Sequence, residues 1–113
     1  MIILDSTLKS LEIKLAGGIT TSQLPYVLGY VDLLASDQSV SAVGSNDGVT
    51  NDATAVPILA APIAGHTRQV KFLSVFNGDT VAAVLTLQYN DNGTPRVITK
   101  VTLDVGDNFI YTD

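Results

Sequence analysis

Residues 68–112 hold three apolar-rich runs separated by two turn signatures, and few folds are open to a chain built that way. In the first run, Arg68 to Asn77, Val70, Phe72 and Phe76 fall on one side of an extended chain and Leu73 and Val75 on the other. Both sides are largely apolar, which predicts a strand covered on two sides: central in its sheet, or with its outer face against another subunit. Asn77-Gly78-Asp79 turns the chain into a second run, Val81 to Tyr89, with Leu85, Leu87 and Tyr89 inward. Asn90-Asp91-Asn92-Gly93-Thr94-Pro95 is the sharpest local signal, because Asn and Gly tolerate the positive φ of a tight hairpin. The third run is Arg96 to Leu103, where Val97, Val101 and Leu103 alternate with Arg96, Lys100 and Thr102. Asp104-Val105-Gly106-Asp107 then leads into a last strand, Asn108 to Thr112.

The first half reads in the same grammar. Residues 10–16 place Leu11, Ile13 and Leu15 opposite Glu12 and Lys14, the period of a half-buried strand that Gly17-Gly18 ends. Gln23 to Leu34 is a second extended segment, and Pro25, which cannot donate to a ladder, puts its beginning at an edge or ahead of the pairing. Residues 35–55 are the most polar stretch, dense in Gly, Ser, Asn and Asp, and are expected to form a long surface loop, mobile or used for contact with a partner. Val56 to Ile63 is a short apolar strand broken by Pro57 and Pro62. The apolar tip Met1, Ile2, Ile3, Leu4 has two readings: the start of an arm, residues 1–9, that docks on a neighbour, or an ordinary first strand. About seven to eight short strands with no βαβ alternation and no amphipathic helix predict an all-β fold, an antiparallel β-sandwich or jelly roll in a single domain of residues 1–113.

Hydrophobic residues are 46% of the chain and aromatics 6%, so the core must come mainly from Val, Leu, Ile and Ala. Eleven acidic against six basic residues give a net charge of −5, which repels nucleic acid and anionic membranes unless the bases cluster. Lys9, Lys14, Arg68, Lys71, Arg96 and Lys100 are scattered. Asp5 and Lys9 interrupt the apolar start before it reaches signal-peptide length, and no stretch approaches ~20 apolar residues. The expectation is a protein made and kept in a cytoplasm, with neither nucleic acid nor membrane as partner.

Chemistry-bearing residues are scarce: no cysteine, one histidine, one glutamate and no tryptophan. His66 stands before a strand and reads as a solvent-exposed loop residue; as a general base it would need a partner such as Ser74 or Asp79 brought to it by the fold. One histidine without cysteines is a poor basis for zinc. Five of the ten aspartates, Asp47, Asp52, Asp79, Asp91 and Asp107, sit beside Gly or Asn, where a carboxylate caps a turn. The oxygen-rich sets Asn46, Asp47, Asn51, Asp52 and Asn90, Asp91, Asn92 could hold a hard cation, although neither has EF-hand spacing and turn chemistry explains both. No cofactor and no catalytic residue is expected. Tyr26 and Tyr30, four apart on one side of an extended segment, suit core or subunit-interface packing, and with Met1 to Leu4 they are the candidate partner contacts.

Residues 1–16, Arg68 to Asn77, the segment Tyr-Asn-Asp-Asn-Gly-Thr at 89–94 and Leu-Asp-Val-Gly-Asp at 103–107 together resemble a group of small tailed-bacteriophage virion proteins. The resemblance spans most of the chain. It implies a sandwich or jelly-roll module, often trimeric, that binds the major capsid protein and decorates or cements the head from the capsid exterior. Other virion stations are the nearest alternatives: a head fibre base, a tail part or a head-tail joining part. A carbohydrate-binding or adhesive module using the stretch 35–55 is a further one, weakened by the lack of tryptophan platforms for sugar rings.

Overall fold

Aliphatic side chains at every second position of a strand need a second apolar layer to cover them. The computed structural model describes residues 1–113 and shows how the chain supplies that layer. Nine strands form two antiparallel sheets stacked as a β-sandwich, 46 × 24 × 18 Å in extent. They are β1 (Ile2–Leu4), β2 (Lys9–Leu15), β3 (Pro25–Leu34), β4 (Val40–Val49), β5 (Val56–Leu59), β6 (His66–Phe76), β7 (Ala83–Asp91), β8 (Thr94–Leu103) and β9 (Asn108–Thr112). The five-stranded sheet runs β4-β3-β6, and β6 shares its far edge between β1, at residues 68–70, and β9, at residues 72–76. The four-stranded sheet runs β5-β2-β7-β8.

Sixteen buried residues make the core between the sheets, and all except Tyr26 are Leu, Ile or Val. Each such side chain withdrawn from water contributes about 1.5–3 kcal/mol. The β7–β8 hairpin turns at Asn92 and Gly93, with φ of 52° and 89°, the left-handed pair that a two-residue turn requires. The Asn90 side chain accepts the Gly93 amide at 2.7 Å and holds the turn from within.

Two bulges alter the expected facing of side chains. On β6 the register against β3 steps from Gly29–Phe72 to Tyr30–Val70, leaving Lys71 unpaired. The extra residue reverses the alternation, so Val70 joins Leu73 and Val75 in the core while Phe72 and Phe76 point outward. The grouping of Val70 with Phe72 and Phe76 is therefore corrected. On β8, Leu87 pairs with Thr99 but Gln88 with Val97, which leaves Ile98 as the extra residue. Val97 is accordingly exposed, and only Val101 and Leu103 turn toward the core.

The stretch 35–55 is not one long loop. Its middle is β4, ten residues paired along β3, and true turns remain only at 35–39 and 50–55. Gly44 and Gly48 lie opposite Tyr30 and Tyr26, whose rings rest on the bare backbone. A Cβ at Gly44 would come within 2.6 Å of the Tyr30 hydroxyl, and one at Gly48 within 3.0 Å of Tyr26. Composition alone marks such a segment as a loop, because glycine, serine and asparagine are depleted in strands. Here the neighbouring strand provides the cover that the segment's own side chains lack.

The N-terminal tip is a strand of this chain's own sheet. β1 pairs with Arg68–Val70, Ile2 and Leu4 enter the core, and the Ile2 and Ile3 amides donate to the hydroxyls of Tyr111 (2.9 Å) and Tyr89 (3.3 Å). The docking arm of residues 1–9 is thereby corrected, and of the four tip residues only Met1 is exposed.

Asn77-Gly78-Asp79 is a polar knot at one end of the sandwich. The wholly buried Asn77 donates through Nδ2 to the carbonyls of Val81 (3.0 Å) and Leu103 (2.9 Å). The Asp79 carboxylate accepts the amides of Thr20, Thr21 and Ser22 and the Thr21 hydroxyl, at 2.7–3.3 Å. Donation from the Thr20 and Thr21 amides holds this carboxyl far below the usual carboxylate range and pins the 17–24 connection.

Candidate binding surface

With Val70 drawn inward, the outer side of the five-stranded sheet carries exposed apolar residues interspersed with small polar ones. Three cross-strand rows define it: Asp47–Val27–Ser74–Ile110, Ser45–Gly29–Phe72–Thr112 and Val43–Val31–Gln69–Ile3. Pro25 opposite Val49, and Phe76 opposite Asn108, extend it at one end. Val43 is 74% exposed and Ile110 60%, with Val27, Val49, Phe72 and Phe76 also open to solvent. From strand spacing and rise the three rows span roughly 20 by 19 Å of sheet face, shared between these apolar side chains and the polar Ser45, Asp47, Gln69, Ser74 and Thr112. Its charges are few. Asp47 stands on β4, and at the β9 edge Asp113 accepts from Lys71 (3.0 Å) and Gln69 (2.6 Å).

The outer side of the four-stranded sheet is polar at its centre, with Val97 exposed on its β8 edge. Its rows are Pro57–Glu12–Gln88–Val97, Lys14–Thr86–Lys100 and Ser10–Asn90–Pro95. Glu12 is buried and accepts from Gln88 Nε2 at 2.6 Å, while Gln88 Oε1 has no partner. Thr86 is buried beside them. The centre of this face is thus tied up within the chain.

Tyr26 and Tyr30 are on the inner side of β3, where Tyr26 belongs to the core and Tyr30 packs against it. Burial raises the Tyr26 phenol above its ordinary pKa, and the Asp47 carboxylate adds to the shift. The Arg68 guanidinium lies 5.0 Å from the Tyr30 ring, pairs with Asp32 at 2.8 Å and donates to the Ala60 carbonyl at 2.9 Å. Both tyrosines line the underside of the sheet, away from the apolar patch. The residues that make the patch, Val27, Val43, Val49 and Ile110 with the two phenylalanines, were not among the sequence candidates. Their signal was present in β3, where Val27 and Val31 alternate with Tyr26, Leu28 and Tyr30 and make both sides of the strand apolar.

The chemical candidates do not converge. His66 opens β6 with Nδ1 3.3 Å from the Ser41 hydroxyl, and neither Ser74 nor Asp79 is its partner. Asn46 points inward and donates to the Ile58 carbonyl at 3.0 Å, whereas Asp47 faces outward, so the two cannot share a cation. Asp52 instead accepts from the Gln23 side chain and the Ile19 amide, which lowers its carboxyl pKa. A cavity of about 170 Å³ between Gly17–Ile19 and Val81–Val84 has Asp79 in its wall, with the carboxylate already used by the 20–22 backbone.

Comparison of the chain with protein-family models, with curated proteins and with solved structures found no match.

Proposed function

We propose that this protein is a non-enzymatic structural component of a bacteriophage particle, made in the host cytoplasm and assembled on the virion, where it binds the major capsid protein and reinforces the head. The observation that carries the reading is the asymmetry of the sandwich: Val27, Val43, Val49, Phe72, Phe76 and Ile110 stand exposed on the outer side of one sheet, whereas the centre of the other sheet's outer side is the buried polar group Glu12, Gln88 and Thr86. A brick of that kind lays one face on a larger protein surface and turns the other to water. The net charge of −5 fits a position outside the shell, away from packaged DNA. The virion assignment itself rests on the sequence resemblance. The adhesive alternative loses its single long loop, since the middle ten residues of 35–55 are strand.

Immunolabelling of intact particles and co-sedimentation with undecorated shells test the proposal. The expected result is label distributed over the head and saturable binding to shells. Val27→Asp with Ile110→Asp should reduce shell binding at least tenfold while leaving the thermal midpoint within a few degrees. Label confined to a tail or portal would move the protein to another station, and binding unchanged in the double variant would remove the apolar face from the account.

A further inference from the structure

The two long edge strands of the sandwich differ in how they meet solvent. β8 carries Pro95, Arg96 and Lys100 and is bulged at Ile98, all features that discourage a second sheet from pairing with it. β4 is equally long but has no proline and no lysine or arginine; Asp47 is its one charge, and its only bulge, at Ser41, lies near its start. Strand β5 of the other sheet lies close to β4, joined to it by the Asn46 side chain and by no strand pairing. On the side away from β3, β4 thus has no strand paired with it.

We infer that this edge pairs with the same edge of a second copy, antiparallel about a two-fold axis at Asn46. The inference deepens the proposed function by naming how neighbouring copies join. Register selects the axis. Centred on Asn46, Val43 faces Val49, Ser45 faces Asp47 and Gly44 faces Gly48, each twice. Centred on Ser45, Val43 would face the Asp47 carboxylate; centred on Asp47, two carboxylates would oppose each other; centred on Gly44, Val43 would face Ser45. Of these four axes, the one at Asn46 matches apolar with apolar and gives each carboxylate a hydroxyl donor; an axis at Val43 would also pair Val43 with itself but would leave residues 47–49 outside the paired segment. In the inner rows, Tyr26 and Tyr30 of each copy flank the facing glycines, because their rings already lie over Gly48 and Gly44. The pair makes one eight-strand-wide sheet, with the Ser45–Asp47 pairs at the axis and the Val43–Val49 pairs on either side of them. The occupant is therefore a second copy joined by strand addition, the mode in which main-chain hydrogen bonds supply affinity and side-chain register supplies specificity.

The test is sedimentation velocity over a rising concentration series, with two variants of one exposed residue. Ser45→Asp sets two carboxylate pairs against Asp47 of the other copy, and Ser45→Lys sets two opposite-charge pairs in the same places. Dimerisation should weaken about fivefold in the first and tighten about fivefold in the second. Circular dichroism and melting of each variant confirm that the fold is kept. Because the chain has no cysteine, Val43→Cys and Val49→Cys give an independent reading: the two variants mixed should form a disulfide across the axis, and neither alone should do so. A strict monomer, a trimer, bridging by Val43→Cys alone, or the same response to both charges at position 45 would overturn the edge pair. Shell binding is scored separately. Bound shells without dimers would sink the pairing and spare the proposed function, and dimers that ignore shells would do the reverse.

Discussion

The outer faces of the two sheets carry similar numbers of side chains on similar backbones, yet they are built for different ends. On the four-stranded sheet Glu12, Gln88 and Thr86 are buried among their neighbours, and the Glu12–Gln88 hydrogen bond joins the two central strands. On the five-stranded sheet Val27, Val43 and Ile110 stand open and touch little. A face whose side chains are already satisfied stabilises the fold it belongs to. A face whose side chains remain exposed adds little to folding and keeps its apolar area for another protein. Substitutions on the first should therefore register as stability, and on the second as association.

The largest expected effect lies on neither face and tests whether the contrast omits the true anchor. Asp79→Asn keeps the shape but weakens the carboxylate's bonds to 20–22, and should lower the thermal midpoint by on the order of 10 °C at pH 7. Its sign with pH follows from the depressed folded pKa. The ionised group's contribution is complete above the ordinary value near 3.8 and is lost as pH falls below it. Melting the native chain from pH 7 down to pH 2 should show a steep fall below about pH 4 that the variant lacks in large part. Equal slopes would assign the acid sensitivity to other carboxylates.

Next in size is Glu12→Ala on the polar face, which strands the buried Gln88 amide and should cost about 2 kcal/mol in denaturant unfolding. Glu12→Gln restores an acceptor and can also donate to the free Gln88 Oε1, so its cost should fall below about 1 kcal/mol. A full-size loss in the glutamine variant would show that charge matters at this position more than pairing. Smallest in stability is Ile110→Thr on the apolar face, within about 0.5 kcal/mol of the native chain because the side chain is largely exposed. The same substitution should weaken shell binding measurably. A stability loss comparable to that of Glu12→Ala would erase the distinction between the faces.

Much of the fold was legible along the chain. Leu11, Ile13 and Leu15, or Leu85 and Leu87, show a strand's period directly, and Asn92-Gly93 announces its hairpin. The candidate surface was less legible. Reading Val70 with Phe72 and Phe76 assumes an unbroken two-residue period, and nothing local to Arg68–Asn77 reveals that Lys71 is an extra residue. That bulge exists in relation to β3, 40 residues earlier in the chain by the Tyr30–Val70 pairing. β4 was hidden for the same kind of reason, since Gly44 and Gly48 read as loop residues until the rings of Tyr30 and Tyr26 are laid over them.

By itself, then, the order of residues determined an antiparallel β protein with an aliphatic core, an acidic exterior and a tight hairpin at Asn92-Gly93. Those properties follow from side-chain period, charge count and the φ preferences of single residues, all local to the chain. Tertiary pairing alone decided that Ile2 and Leu4 are core, that 40–49 is an edge strand and that Phe72 faces water beside Val27 and Ile110. Such outcomes depend on register between strands distant in sequence, where one unpaired residue reverses which side of a sheet every later side chain meets.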